Sequence, residues 1–164
     1  MIGHVPQKGV LLTAIAAFWL KQLRESYPTH LVGCPHPRVL EVKPCDPVKV
    51  EVVVRGYLAG SMLRAYQEGR RLFCGIALPE GLKPYSPLPQ PIITPTTKAA
   101  AFEHDEEISG SALIQRGVVT APEWQAIQTA ALKIFAAGGR RLLATGWLLV
   151  DTKYEFGRLA DGSL

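Results

Sequence analysis

Trp147-Leu148-Leu149-Val150-Asp151-Thr152-Lys153-Tyr154-Glu155-Phe156-Gly157 sets an apolar run directly before an alternating charged segment. The run from Trp147 to Val150 reads as a buried strand. A strand sends alternate side chains to opposite faces. Asp151, Lys153 and Glu155 therefore share one face, and Thr152, Tyr154 and Phe156 share the other. Two carboxylates flanking one ammonium suit a magnesium–phosphate site, because hard cations take carboxylate oxygens and a lysine neutralises phosphate charge. A solvated strand face with balanced charge carries the same pattern.

The rest of the chain surrounds this segment with strands, helices and a proline-rich stretch. Arg38 to Lys43 and Val48 to Arg55 read as strands, the second a β-branched run. Lys8 to Ser26 reads as an amphipathic helix with Leu12, Ala16, Trp19, Leu20, Leu23 and Tyr27 at helical spacing. Ser61 to Glu68, Ile108 to Gln115 and Pro122 to Ala137 read as further helices, with Gly69 closing the first and Pro122 in the first turn of the last. Gly75 to Thr97 carries six prolines between Pro79 and Pro95 and reads as a long functional loop. Gly138-Gly139 predicts a helix break, since each glycine costs roughly 1 kcal/mol inside a helix. Asp161-Gly162 is a hairpin-turn signal followed only by Ser163 and Leu164, so the chain looks cut at that end. The cut edge and the apolar helix around Leu12 to Leu23 favour self-association, hence a homo-oligomer.

Composition narrows the partners. The 164 residues are 48% hydrophobic and carry a net charge of +4, which describes one globular domain or part of a larger one. The basic residues are scattered, which favours anionic small molecules over nucleic acid. Cys34, Cys45 and Cys74 show no metal spacing and read as reduced cytosolic thiols. The apolar run from Val10 to Leu20 follows Lys8 as in a signal peptide. Its helical pattern continues past Lys21 and Arg24, however, and it is too short to span a membrane. The expectation is a cytoplasmic protein with no membrane partner.

Three further constellations carry chemistry. Val52-Val53-Val54-Arg55-Gly56-Tyr57-Leu58-Ala59-Gly60-Ser61 is a strand, a glycine turn and a helix start. Ser61 is placed there as N-cap beside Arg55, which together suit an anion. Thr94-Pro95-Thr96-Thr97-Lys98 offers hydroxyls and an ammonium to phosphate or ribose, although a surface loop rich in threonine is equally ordinary. His104-Asp105-Glu106-Glu107 could bind metal or move protons, and also fits a charged helix start.

Read in order, KVEVVVRGYLAGS at Lys49–Ser61, CGIALPEGL at Cys74–Leu82, LPQPIITPTTKA at Leu88–Ala99, HDEEIS at His104–Ser109 and LLVDTKYEFG at Leu148–Gly157 resemble the phosphoribosylaminoimidazole-succinocarboxamide synthase (SAICAR synthetase) family. The resemblance covers nearly the whole chain. It implies an α+β, two-lobed ATP-binding fold. Residues 1–55 would form the end of the small lobe and the inter-lobe hinge, and 56–164 the larger lobe. It implies an ATP- and Mg2+-dependent ligase of purine biosynthesis, with a carboxylated aminoimidazole ribotide, L-aspartate and ATP as substrates and an acyl phosphate as intermediate. By motif, Arg55, Ser61 and Asp105 would bind the ribotide. Lys98 and Lys153 would meet the nucleotide phosphates and act in catalysis with Asp151. Asp151 and Glu155 would hold magnesium, with Glu155 also at the nucleotide.

The chain departs from that pattern in several places. Leu63 stands where the family has tryptophan, and Glu103 where glycine is common. The resemblance also implies a glycine-rich nucleotide loop before Met1 and an acidic metal-binding strand after Leu164, so both ends of the expected cleft lie outside this chain. Two other readings stay open: a non-catalytic module that binds a phosphorylated nucleotide, and a related ligase for another phosphoribosyl carboxylate.

Overall fold

A computed structural model describes residues 3–98 and 106–164. Its centre is one strand, Val50–Tyr57 (β4), flanked on both sides by antiparallel partners. Pro87–Thr97 (β7) pairs on one side, with Val53 opposite Thr94 and Val52 opposite Pro95. Asp151–Tyr154 (β8) pairs on the other, with Arg55 opposite Asp151 and Val53 opposite Lys153. The β-branched run Val52-Val53-Val54 suits this middle position, where both edges of the backbone are bonded.

One face of this sheet is core. Val50, Val52 and Val54 are 1%, 0% and 0% exposed and pack against Trp124, Ile127, Ala131 and Phe135 of a long helix, Ala121–Leu143 (α4). Burying each valine contributes about 1.5–3 kcal/mol. The helix opens as its sequence dictates. Thr120 caps the backbone N–H of Glu123, the Glu123 side chain returns to the N–H of Thr120, and Pro122 occupies the first turn. The expected break at Gly138-Gly139 does not occur, and α4 continues to Leu143. Gly138 is buried, and a Cβ there would lie 3.4 Å from Leu149 and 3.9 Å from Trp19. Both distances are ordinary contacts, and the helix at Lys8–Leu23 (α1) and the segment leading into β8 pack against α4 at this point.

A second apolar cluster seats Gly60–Gln67 (α2) through Leu58, Met62, Leu63 and Tyr66 against Phe73, Leu88 and Ile92. Gly60 turns the chain from β4 into α2 at φ +57°, a conformation that side chains with a Cβ rarely adopt. The N-cap is Ala59 and not Ser61, which lies one residue inside the helix, because the turn through Gly60 begins the helix earlier.

Three further expectations change. Residues 147–150 are not a strand: Trp147 and Leu148 are 70% and 58% exposed, and pairing with β4 begins at Asp151. The proline segment is not a loop throughout. The hairpin of Leu72–Phe73 (β5) and Ile76–Ala77 (β6) runs into its start, and the eleven-residue β7 forms its end. Prolines are tolerated there because β7 is an edge strand, where an absent N–H need not break the ladder. Glu106 and Glu107 do not start a helix; Glu107 bridges Thr96 on the outer side of β7. The helix that follows is Gly110–Gln115 (α3), capped by Ser109.

The remaining strands frame the sheet. Leu31–His36 (β1) and Val39–Val42 (β2) form a hairpin of which only the second strand was expected. Asp46–Pro47 (β3) pairs with Gly157–Arg158 (β9). The Asp161-Gly162 turn forms: Gly162 is at φ +83° and the N–H of Leu159 donates to the carbonyl of Ser163. In α1 the apolar positions extend beyond the expected stripe. Leu11, Leu12, Ile15 and Phe18 are exposed, while Trp19, Leu20 and Leu23 are half-buried. No helix among the described residues is long and apolar enough to cross a membrane.

Candidate active site

The face of the sheet opposite α4 gathers the charged residues. Alternation along β4 places Glu51, Val53 and Arg55 on this face, and the antiparallel register adds Thr94 from β7 and Asp151 and Lys153 from β8. The expected alternation in β8 holds. Asp151, Lys153 and Glu155 are exposed, Thr152 and Tyr154 are half-buried, and Phe156 enters the core.

Three ion pairs cross the strands. Arg55 Nη1 lies 3.4 Å from Asp151, Lys153 Nζ 2.8 Å from Glu51, and Lys98 Nζ 3.3 Å from Glu155. Arg55 also donates from Nε to Thr94 Oγ1 at 3.0 Å, so its guanidinium is held from both neighbouring strands. Three cations thus sit among three carboxylates on one open face. Such pairs contribute little to stability when exposed. Their chemical use is as a set of pre-placed charges that an incoming phosphate and its counter-cation could re-partner.

The structure therefore brings together Arg55, Lys98, Asp151, Lys153 and Glu155. Ser61 stands apart from this ladder, exposed in the first turn of α2 beyond the end of β4. Asp105 lies outside the described residues. Two residues of the site were not singled out from the sequence. Glu51 is an acidic residue inside a valine run, four positions from Arg55, and that even spacing alone puts both on one face of a strand. Thr94 was seen only as a loop hydroxyl; its place beneath Arg55 depends on β7 being a strand.

The donor set can be tested against magnesium. Asp151 and Glu155 are exposed carboxylates on one face, and no group of three or more metal-ligating side chains occurs among the described residues. A protein cage for a metal is thus not formed by them. Asp151 and Glu155 stand four residues apart on an extended segment, roughly 13 Å at about 3.3 Å per residue, so one of them, and not both together, fits a magnesium ion held by a carboxylate with phosphates and water.

Neighbouring titratable groups are poorly suited to proton transfer near neutral pH. Burial pushes the Tyr154 hydroxyl up to about 12. Burial likewise pushes the Cys74 thiol up to about 11, with the Glu107 charge adding to it. The thiol faces the carbonyl of Pro95, and the turn that carries it lies near an ion pair between Arg70 and Glu107. Neither group is a ready nucleophile, and the charged side chains described on this face offer electrostatics.

Comparison with known proteins agrees in direction. The family model described as SAICAR synthetase matches residues 1–164. A phosphoribosylaminoimidazole-succinocarboxamide synthase of Flavobacterium psychrophilum is 40% identical over 160 residues, which is 98% of this chain and 51% of the relative. One of Cytophaga hutchinsonii is 45% identical over 157 residues, 96% of this chain and 50% of the relative. The chain spans about half the length of the curated relatives it matches. Among solved structures, a SAICAR synthase from Saccharomyces cerevisiae complexed with SAICAR superposes with a TM-score of 0.85 at 28% identity, covering 98% of this chain and 58% of that one. A type-2 SAICAR synthetase in complex with ADP superposes at 0.83 and 28% identity, covering 98% and 63%.

Proposed function

The chain belongs to the SAICAR synthetase family, and from that premise we propose that it supplies the phosphate-handling face of an ATP-dependent ligase. The reaction joins 5-amino-1-(5-phosphoribosyl)imidazole-4-carboxylate to the amino group of L-aspartate in purine biosynthesis. The observation that carries the proposal is the ladder of three cations and three carboxylates across β7, β4 and β8.

In this reading Arg55 and Ser61, with Asp105, take the ribotide, the guanidinium meeting its phosphate. Lys98 and Lys153 face the nucleotide phosphates. Magnesium, held by Asp151 or Glu155 with the phosphates, would neutralise charge on the transferring group. The imidazole carboxylate oxygen attacks the terminal phosphorus of ATP, and the bond to ADP breaks. The amine of aspartate then attacks the resulting acyl phosphate, loses a proton and expels inorganic phosphate. Each step gathers negative charge, so fixed cations are the main contribution expected of the chain's own residues. Each ladder cation already has a carboxylate partner, and a phosphate oxygen that takes over Arg55 or Lys98 would leave Asp151 or Glu155 for the metal.

The same reading assigns residues 1–55 to the end of a smaller lobe and 56–164 to the larger one. It places the enzyme in the cytoplasm, with the exposed residues of α1 as the surface for a homo-oligomer.

The test is a mass-spectrometric assay of the folded chain with ATP, magnesium, aspartate and the carboxylated ribotide, and a control without aspartate. Aspartate-dependent succinocarboxamide is the expected product. Binding of ATP and ribotide by a folded chain without product would replace this reading with that of a binding module.

A further inference from the structure

Apart from aromatic side chains, the buried polar residues among those described are Glu51 and Thr94, at 7% and 2% exposed. Burying a carboxylate or a hydroxyl is unfavourable unless a partner compensates it. Both penalties fall on the same face of the same sheet, and both compensating partners are cations of the ladder. Thr94 Oγ1 accepts from Arg55 Nε at 3.0 Å, and Glu51 Oε1 accepts from Lys153 Nζ at 2.8 Å.

We propose that Thr94 and Glu51 are positioning residues: Thr94 sets the plane of the Arg55 guanidinium and Glu51 sets the reach of Lys153, so that each cation meets its phosphate already oriented. The proposal rests on the assignment of Arg55 to the ribose phosphate and of Lys153 to the nucleotide phosphates.

The geometry gives each residue a distinct task. A guanidinium is a rigid planar fork. With Nε tied to Thr94 and Nη1 to Asp151, rotating it requires breaking a hydrogen bond. An arginine held this way gives up little further freedom when it takes a planar pair of phosphate oxygens. Lys153 is different: its side chain is half exposed on a flexible stem, and its ammonium has three donors. A bond to a buried carboxylate on the neighbouring strand gives it direction. In both cases the anchor is a β-strand side chain, which moves less than a loop residue would.

The anchors also differ from the outer partners. Asp151 is 45% exposed at its side chain and Glu155 52%, so both are open to re-partnering with a metal ion. Thr94 and Glu51 are shielded and stay beneath their cations.

The test uses the full chain with Thr94→Val, Thr94→Ser and Glu51→Gln. Binding of ribose 5-phosphate and of magnesium–ATP is measured by calorimetry, folding by thermal melts, and the side chains by NMR of the Arg55 Nε–H and Lys153 ammonium signals. Thr94→Val is expected to weaken ribose 5-phosphate about tenfold while ATP binding is unchanged, and Thr94→Ser to recover most of the loss. Glu51→Gln is expected to do the converse, weakening ATP about tenfold. The Arg55 Nε–H signal should be lost to solvent exchange in Thr94→Val, and the Lys153 signal in Glu51→Gln.

Equal losses for both probes in a folded variant, or no loss of ribose 5-phosphate affinity in Thr94→Val or of ATP affinity in Glu51→Gln, would overturn the proposal. If the unmodified chain binds neither probe, the phosphate assignment fails by itself. The two NMR signals still decide the anchoring, and their persistence in the variants overturns it.

Discussion

The two faces of β4 are built from the same eight residues and obey different physics. On the face toward α4, Val50, Val52 and Val54 are sealed from water. Apolar burial has no direction, and a side chain of similar volume can replace another there. On the opposite face, Glu51 and Arg55 each meet a named partner on a neighbouring strand at a set distance. Charge pairing has direction, and a missing partner leaves an uncompensated group. The comparison teaches that apolar burial is concentrated on one face of this strand and paired charge, the proposed ligand chemistry, on the other, separated by a single peptide unit. Substitutions on the two faces should therefore separate folding from binding.

The largest effect is expected from the inner face. Val52→Asp buries a lone charge against α4 and should remove roughly 4 kcal/mol or more, enough to abolish a cooperative melt followed by circular dichroism. A variant that melts near the parent temperature would break the comparison. On the outer face, Lys153→Ala should lower ligase turnover by roughly a hundredfold or more, in whichever form of the protein is active, with little change in melting temperature. Parallel loss of stability and turnover would put Lys153 with the core. Arg55→Ala should weaken ribose 5-phosphate by tens of fold at a stability cost of about 1 kcal/mol. Unchanged affinity by calorimetry would sink the phosphate assignment.

The smallest effect sharpens the contrast with a charged group that serves stability alone. Glu123 closes the capping box of α4 and accepts from the guanidinium of Arg158. That hydrogen bond holds the Glu123 carboxyl below its ordinary value of 4.5. A carboxyl lowered by folding stabilises fully above its unfolded pKa and loses that contribution as pH falls through the lowered folded value. Melting temperature should therefore fall below about pH 4.5 more steeply in the parent than in Glu123→Gln. Near neutral pH the variant should be less stable by about 1 kcal/mol, with ligand binding unaltered.

Much of this arrangement was legible before any coordinates. The alternation of Asp151, Lys153 and Glu155, the strand ending in Arg55, the helix begun at Thr120 and Pro122, and the α+β SAICAR synthetase-like fold all follow from local pattern or motif. The failures share one cause. Residues 147–150 read as a strand because they are apolar, and their exposure follows from where pairing with β4 stops. The proline segment reads as a loop because proline lacks an N–H, and β7 forms because an edge strand needs donors on one side only. Gly138-Gly139 reads as a break because glycine is a weak helix former, whereas α4 runs on to Leu143 with Gly138 buried against Leu149 and Trp19, tertiary packing that local propensity does not contain.

The sequence by itself determined which residues share a face and where the capped helix starts, because strand alternation and capping depend on neighbours a few positions away. Tertiary structure alone decided which cation holds which carboxylate. Arg55 and Asp151 are 96 positions apart, and Lys153 and Glu51 are 102 apart. Those partnerships depend on the register of β8 and β7 against β4. That register is set by burial of the opposite face against α4, which no local stretch of the chain contains.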